Sequence, residues 1–382
     1  MARSVVEALC SAHDVTVLCG RPSYDPTERL PWRPYQTEIT GRVHIVRAGS
    51  TDFPRLDMKK RVANYLSYTA LSIPRALFVP CDAVVAMTDP PFQGIAGAIV
   101  STLKGKPYVY NIRDLYPDMA VGGSIVEPGS LAKIWEKLHR WALRRAARVV
   151  VLGEDMRARI VAKGVDLARV SIVRDGAEIL PLNTPLPFPD PEVVRAIRGN
   201  FSFVLLHAGN LGFYGAWNTL ITAARSLANE GVGLVFVGNG AQRAQIEEAS
   251  TGSSNIRFLE FFPASKIPSV LAAADVHVIT VKRGLEGVVV PSKMYGILAA
   301  GKPIVAVAPN ETDAVSLGVQ RGFAVAADPD RPAEVVSAVR ALASDPHRLK
   351  AMGLAARAAA PDYDRVKELQ KFVEIIEHLT VE

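Results

Sequence analysis

Three short segments of this 382-residue chain carry residue types that handle phosphate. The first is HAGNLG, in which Gly209, Asn210, Leu211 and Gly212 follow closely on the apolar run FVLL. Small residues at a strand-to-helix junction let backbone N–H groups approach a ligand, and the start of the next helix favours an anion. A plain tight turn would also call for glycine there. The second segment, GNGAQ, places Gly238, Asn239 and Gly240 at the equivalent point one unit later. The third is VKRGLEGVVVPSKMYGILAAGKPIVA, where Lys282 and Arg283 follow the run VHVIT and can face a diphosphate. In the same segment Ser292 and Lys293 stand at the start of a helix expected to reach Ala300. A hydroxyl and free N–H groups at a helix start can hold phosphate or ribose oxygens while a lysine supplies charge. Ser292 as a simple N-cap is the competing reading. None of the three is a GxGxxG or a Walker A sequence, which disfavours a dinucleotide oxidoreductase or a P-loop NTPase.

A different chemistry is available in YNIRDLYPD, where Arg113, Asp114 and Asp118 lie just beyond the apolar run PYVYNI. A carboxylate at a strand's C-terminal edge can orient a hydroxyl or assist proton transfer if it reaches the reacting group. Asp114 as a helix cap or as an ion-pair partner of Arg113 is equally open at this level. The Asp114 and Asp118 pair has no histidine nearby and few further acidic ligands at useful spacing, so no metal is inferred.

These segments need elements to position them, and the hydrophobic pattern supplies an alternation of strands and helices. VTVLCG, RVHIVRA, AVVAMT, PYVYNIR, ARVVVLG and VSIVRDG read as strands of a first half, with helices around residues 58–77, 93–103, 131–146 and 154–162. Such alternation predicts α/β architecture with a mostly parallel sheet. The stretch LPLNTPLPFPDP, residues 180–191, carries five prolines and reads as a linker. The same alternation restarts in FVLLHAG, GLVFVG, IRFLEF, VHVIT, PIVAVA and FAVAA, with helices around 217–229, 241–249 and 264–272. Two such halves would enclose a cleft. The final segment, 362–379, has apolar residues at helical spacing.

Composition bounds the rest. With 49% hydrophobic and 21% charged residues, the chain can bury more than one core and is neither disordered nor a small stapled module. The formal charge of +6 is too modest to argue for nucleic acid. Cys10, Cys19 and Cys81 form neither a CxxC pair nor a zinc set, which suits a reducing compartment. No apolar run reads as a membrane-spanning helix, and the first residues lack a signal-peptide pattern. Residues 55–78 and 133–148 are basic and amphipathic; the latter has six Lys or Arg against one Glu, with two tryptophans. Helices of this kind lie on anionic membrane surfaces or simply cover a sheet.

Taken in order, VTVLCGRPSYDP, NIRDLYPD, HAGNLG, VFVGNGAQ and VPSKMYGILAAGKPIVA make the chain resemble the family-four glycosyltransferases of bacterial polysaccharide synthesis. The resemblance covers nearly the whole chain and is strongest to the branch of the colanic acid biosynthesis glycosyltransferase and the aminodeoxysugar transferases of O-antigen synthesis. It implies a GT-B fold, two Rossmann-like domains facing across a cleft. Residues 1–180 would form the acceptor-side domain, 192–360 the nucleotide-sugar-binding domain, and 361–382 a C-terminal helix packing back across the linker. The resemblance further implies a nucleotide-diphospho-sugar donor used as substrate, retention of anomeric configuration, no cofactor and no essential divalent metal. The acceptor would be lipid-linked or a saccharide, at a cytoplasmic location with peripheral contact to the cytoplasmic face of the inner membrane. Lys282 or Arg283, Lys293 and the glycine-loop amides would then neutralise the departing diphosphate. Asp114 would orient the transferred sugar.

The chain also departs from the family pattern. The family's paired glutamates fall here on Val288 and Gly296, with Glu286 near but out of register. The second glutamate usually contacts ribose, so main-chain groups near Tyr295 become the expected substitute. The basic residue that commonly follows the first glycine loop is absent from FYGAWNTL. Relatives place a strand and a glycine loop before the helix that opens this sequence, so the first strand is expected to be missing, with a start set too far downstream favoured over a divergent form. A nucleotide-sugar epimerase of similar shape and a catalytically degenerate partner subunit are the alternative functions.

Overall fold

In the computed structural model, residues 2–21, 31–53 and 58–381 are described. Residues 22–26 of the landmark VTVLCGRPSYDP and 55–57 of the first basic stretch lie outside the described residues. The first half holds strands β1 (Val15–Cys19), β2 (Tyr35–Thr40), β3 (Val43–Ala48), β4 (Val84–Ala86), β5 (Tyr108–Asn111), β6 (Arg148–Val151) and β7 (Val170–Ile172). They form two sheets, β1-β3-β2 and β4-β5-β6-β7, rather than the one sheet expected. The second of these is parallel throughout. The hairpin of β2 on β3 is antiparallel and was not expected from sequence. All but one residue of β2 is exposed, so YQTEIT carries no apolar alternation by which a strand is recognised.

The second half holds β8 (Phe203–Ala208), β9 (Val232–Val237), β10 (Ile256–Leu259), β11 (Val276–Thr280), β12 (Ile304–Val307) and β13 (Ala324–Ala327). They make one parallel sheet in the order β10-β9-β8-β11-β12-β13. The chain winds one way from β8 and the other way from β11, so the topological switch point lies between these two strands, where open α/β sheets bind ligands. Strands β9, β11 and β12 are buried at every residue, because helices cover both faces; this is why they read as unbroken apolar runs.

Main-chain and side-chain bonds join the halves. Leu115 donates its N–H to the Val288 carbonyl at 2.9 Å, and Asp114 makes an isolated antiparallel bridge with Val289. Arg159 reaches the Glu286 carboxylate at 3.0 Å, and Arg174 reaches Asp313 at 3.1 Å. One apolar cluster runs across the junction, with Tyr108, Leu115 and Met156 from the first half against Leu285, Val288 and Met294 from the second. The proline-rich stretch ends in a helix, Pro191–Arg198, capped by Asp190, whose side chain accepts from the Glu192 N–H. The last helix, Arg365–Val381, returns to the first half, packing Phe372, Val373 and Ile376 against Val5, Leu9, Val150 and Val173. Buried Glu368 fixes it there by accepting the Arg174 N–H at 2.7 Å.

Candidate active site

A cavity of about 490 Å³ opens at the switch point between the halves. Its charged lining residues are Asp114, Lys293 and Arg365; Gly209, Asn210, Tyr214, Ser292 and Gly296 line it beside them, with an apolar wall from Phe261, Phe262 and Leu271.

Gly209 leaves β8 at φ +139°, a conformation that L side chains rarely adopt. Its N–H is taken by the Val237 carbonyl at 2.8 Å, and that of Leu211 by the Asn239 carbonyl at 2.9 Å. Gly238 repeats the conformation at φ +138°, and a Cβ there would collide with the Gly209 carbonyl oxygen. A Cβ on Gly240 would collide with the backbone of Leu211. The second glycine turn therefore buttresses the first. Gly238, Asn239 and Gly240 stand behind that loop and do not line the cavity, where donor-binding residues were expected. Leu211 is fully buried, and the Gly212 carbonyl accepts the Trp217 indole N–H at 2.8 Å. These two residues shape the loop while Gly209 and Asn210 present it.

The third segment divides. Ser292 and Lys293 line the cavity, and the Ser292 side chain makes no capping bond to the helix Lys293–Ala299. The Lys293 ammonium lies 2.8 Å from His207 Nε2. Burial lowers the Lys293 amine from its ordinary value to about 7. Arg283 is exposed and bound to Asp328 and Asp330 at 2.8 and 2.6 Å, so its guanidinium is committed away from the cavity rather than to a diphosphate. Lys282 is half-buried, its N–H donates to the Tyr214 carbonyl at 2.7 Å, and it does not line the cavity. Tyr295 is fully buried, its ring 5.3 Å from that of Tyr363, so its side chain belongs to the core between the halves. Met294, Tyr295, Ile297 and Leu298 are the buried residues of that helix, while Gly296 lines the cavity.

On the opposite wall, Thr88 Oγ1 accepts the N–H groups of Arg113 and Asp114 at 3.1 and 3.2 Å, which holds the turn after β5. Asp114 opens to the cavity yet is ringed by protein, and that desolvation pushes its carboxyl up to about 6 against the opposing pull of Arg113. Arg113 itself pairs with Asp175. Asp118 does not reach the cavity; it pairs with Lys163 at 2.7 Å. Glu286, whose carboxylate binds Arg159 and the Gly284 N–H, faces the first half. Arg365 is a site residue that the sequence did not disclose. Among the described residues, no group of three or more His, Cys, Asp and Glu converges as a metal site, and no helix is long and apolar enough to cross a membrane.

A doubly wound sheet facing a second α/β half across a cleft defines the GT-B class; here Lys293 and the Gly209–Asn210 loop line one side of the cleft and Asp114 the other. Residues 1–176 match the glycosyl transferase 4-like domain and residues 202–345 the glycosyl transferases group 1 domain. The chain belongs to the family-four glycosyltransferases. It is 26% identical over 232 residues to glycosyltransferase WbjE of Pseudomonas aeruginosa, covering 59% of this chain and 57% of that one. It is 25% identical over 278 residues to WcaI of Escherichia coli K12, named as a colanic acid biosynthesis glycosyl transferase, covering 68% and 65%. The matches thus span less than two thirds of either relative. Among solved structures, HepE of Anabaena in complex with UDP-glucose superposes with a TM-score of 0.67 at 18% identity, over 87% of this chain and 86% of that one. WaaG, a glycosyltransferase involved in lipopolysaccharide biosynthesis, does so with a TM-score of 0.66 at 15% identity, over 98% and 95%. At these identities the likeness concerns the fold.

Proposed function

We propose that this chain transfers a sugar from a nucleotide-diphospho-sugar, with retention and without a metal or cofactor, to a lipid-linked or saccharide acceptor in cell-surface polysaccharide synthesis. The observation that carries the reading is the convergence of Lys293, the Gly209–Asn210 loop and Asp114 on one cavity. A leaving diphosphate gains negative charge as its bond to the sugar breaks. Cations and N–H groups already in place lower that barrier without reorganisation. Lys293 supplies the charge from the donor side, beside the Asn210 end of a loop whose Gly209 and Leu211 N–H groups are already bound, and Asp114 stands where it can accept a hydrogen bond from a sugar hydroxyl. Binding of UDP-glucose to HepE, which shares the fold, supports this donor class.

The acceptor side of the reading rests on the helix Ser130–Arg145. Its outer face exposes Leu131, Ile134 and Leu138 beside exposed Lys133, Lys137 and Arg144, a pattern suited to an anionic bilayer surface at the cytoplasmic face. The inner face packs into the first half, with Ala142 and Leu143 in the core beside Tyr108 and Val149 and with Trp135 against Phe92 at 4.9 Å. A panel of nucleotide-sugars offered with membrane-lipid acceptors, with products weighed by mass spectrometry and their anomeric configuration read by proton NMR, tests the whole reading. A glycosylated acceptor of unchanged anomeric configuration is expected. Conversion of the donor without acceptor would instead indicate an epimerase, and no nucleotide-sugar binding at all would indicate a degenerate subunit.

A further inference from the structure

A diphosphate that leaves a sugar gathers more negative charge than one buried ammonium balances. Among the described residues that line the cavity, only Lys293 and Arg365 are cationic. Burial lowers the Lys293 amine to about 7, so near neutral pH part of it is uncharged. The Gly209 and Leu211 N–H groups are already taken by main-chain carbonyls, Arg283 is held by Asp328 and Asp330, and Lys282 does not line the cavity. Arg365 remains. We propose that Arg365 is the second cation of the donor site, binding the diphosphate through its guanidinium and sharing with Lys293 the charge that develops as the sugar departs. The inference rests on the diphosphate reading of the cavity and adds to it a binding residue from the returning helix. Because that helix packs on the first half, the donor is gripped from both sides of the cleft.

The backbone holds Arg365 in place. Gly176 and Ala177, which also line the cavity, grip the chain at the start of the last helix: the Ala177 N–H donates to the Tyr363 carbonyl at 3.0 Å, and the Arg365 N–H to the Ala177 carbonyl at 2.9 Å. Gly176 has φ +55°, and a Cβ on it would stand 2.6 Å from the Tyr363 carbonyl oxygen and 2.9 Å from Arg365 Cα, so a side chain there would force the two segments apart. Tyr363 packs its ring 5.3 Å from that of Tyr295, which puts the helix beginning at Arg365 beside the one beginning at Lys293. The guanidinium itself is weakly held. Its contacts are the Asp175 and Gly176 carbonyls, both at 3.4 Å, the outer limit of a hydrogen bond. The neighbouring carboxylates have other partners: Asp175 pairs with Arg113 and Asp362 with Arg321, Asp364 accepts the Val366 N–H at 2.8 Å, and Glu368 accepts from the Arg174 N–H and the Lys371 ammonium. Among the described residues Arg365 makes no ion pair. A guanidinium stays charged at any working pH, and its planar fork matches two phosphate oxygens at once.

Isothermal titration of the full chain with UDP, inorganic pyrophosphate and uridine, at several salt concentrations, tests this. Arg365→Met removes the charge and keeps an unbranched side chain; it is expected to weaken UDP and pyrophosphate roughly tenfold, to flatten the salt dependence of both, and to leave uridine unchanged. Arg365→Lys, which keeps a charge without the planar fork, should recover part of the loss. A folded Arg365→Met protein that binds UDP and pyrophosphate as the parent does would overturn the proposal. An equal loss for uridine would overturn it too, as the mark of a residue that merely holds the turn at Asp175 and Gly176. So would unchanged UDP binding with a raised KM for the acceptor alone, since the guanidinium would then serve an acceptor phosphate. If Lys293→Met is silent as well, the diphosphate reading itself has failed; if only Arg365→Met is silent, the second cation alone has. A further readout needs no variant. In the parent chain, pyrophosphate should protect Arg365 from modification by phenylglyoxal, followed by peptide mass spectrometry, and uridine should not; an Arg365 that saturating pyrophosphate leaves unprotected would sink the proposal.

Discussion

Asp114 of the first half and Val289 of the second are paired through their backbones, and the neighbouring Leu115 N–H donates to the Val288 carbonyl at 2.9 Å. The carboxylate is thus positioned by the half that faces it as well as by its own. Residues 289–293 continue directly from this bridge along the cavity wall to Lys293, so the carboxylate and the principal cation are tied to one strip of main chain.

Burial raises the Asp114 carboxyl from 3.8 to about 6. Between these values the folded chain keeps a proton that the unfolded chain releases, so stability contributed at low pH is lost as pH rises through about 6. Asp114→Asn, which cannot ionise, should therefore have a higher Tm than the parent above that pH, with the gain vanishing toward pH 4. Sugar transfer should fall roughly tenfold or more while nucleotide affinity holds. Melting curves across this range and initial rates with titrated donor check both; normal transfer by the folded variant would remove Asp114 from the chemistry.

Lys293 has the opposite sense. Its amine falls from 10.5 to about 7, so in that interval the unfolded chain holds a proton that the folded chain lacks, and stability rises with pH across it. Below about 7 the buried charge destabilises the fold. Lys293→Met is expected to raise Tm at neutral pH, with the gain fading toward pH 10, and to weaken UDP binding at least roughly tenfold. Greater stability with lost binding is the mark of a functional strain. An unchanged dissociation constant would count against the site.

Gly296 lines the cavity, and a Cβ there meets no atom closer than Leu271 Cδ1 at 3.5 Å. Gly296→Glu restores the carboxylate that the family pattern places at this point and should fit without displacing its neighbours. It is also expected to stabilise the helix by about 0.5–1 kcal/mol, since glycine is a poor helix former. A severalfold lower KM for a ribonucleotide donor, with Tm slightly up, is the expected outcome; a raised KM would mean that the open space serves another group.

Gly238 makes a more distant test of the same loop. At φ +138°, with the Gly209 carbonyl against it, Gly238→Ala is strained in both backbone and contact. A loss of about 1–3 kcal/mol in stability is expected, together with weaker donor binding because the supported loop shifts. Chemical denaturation and UDP titration measure the two effects; a loss of stability with donor affinity intact would show that the buttress does not act on the site.

The repeated strand and helix pattern was legible because central parallel strands such as β9, β11 and β12 are buried on both faces and leave unbroken apolar runs. The glycine loop after β8 and the Ser292–Lys293 pair were legible for a related reason, since both sit where a strand ends and a helix follows. Sequence could not tell the first glycine turn from the second. Both are glycine-rich and similarly placed, and only stacking of Gly238 behind Gly209 decides which one faces the cavity. Arg283 and Lys282 looked equivalent to Lys293 by charge. The carboxylates that hold Arg283 lie 45 and 47 residues further on, beyond the reach of any local pattern.

The sequence by itself determined the α/β alternation, the family and four residues that line the cavity, Gly209, Asn210, Ser292 and Lys293, because these follow from local periodicity and short motifs. Tertiary structure alone decided which of them share a cavity. The returning helix Arg365–Val381 brings Arg365 to the site, and the fold seats His207 against Lys293, 86 residues away. Long-range packing sets these distances, and no single segment encodes them.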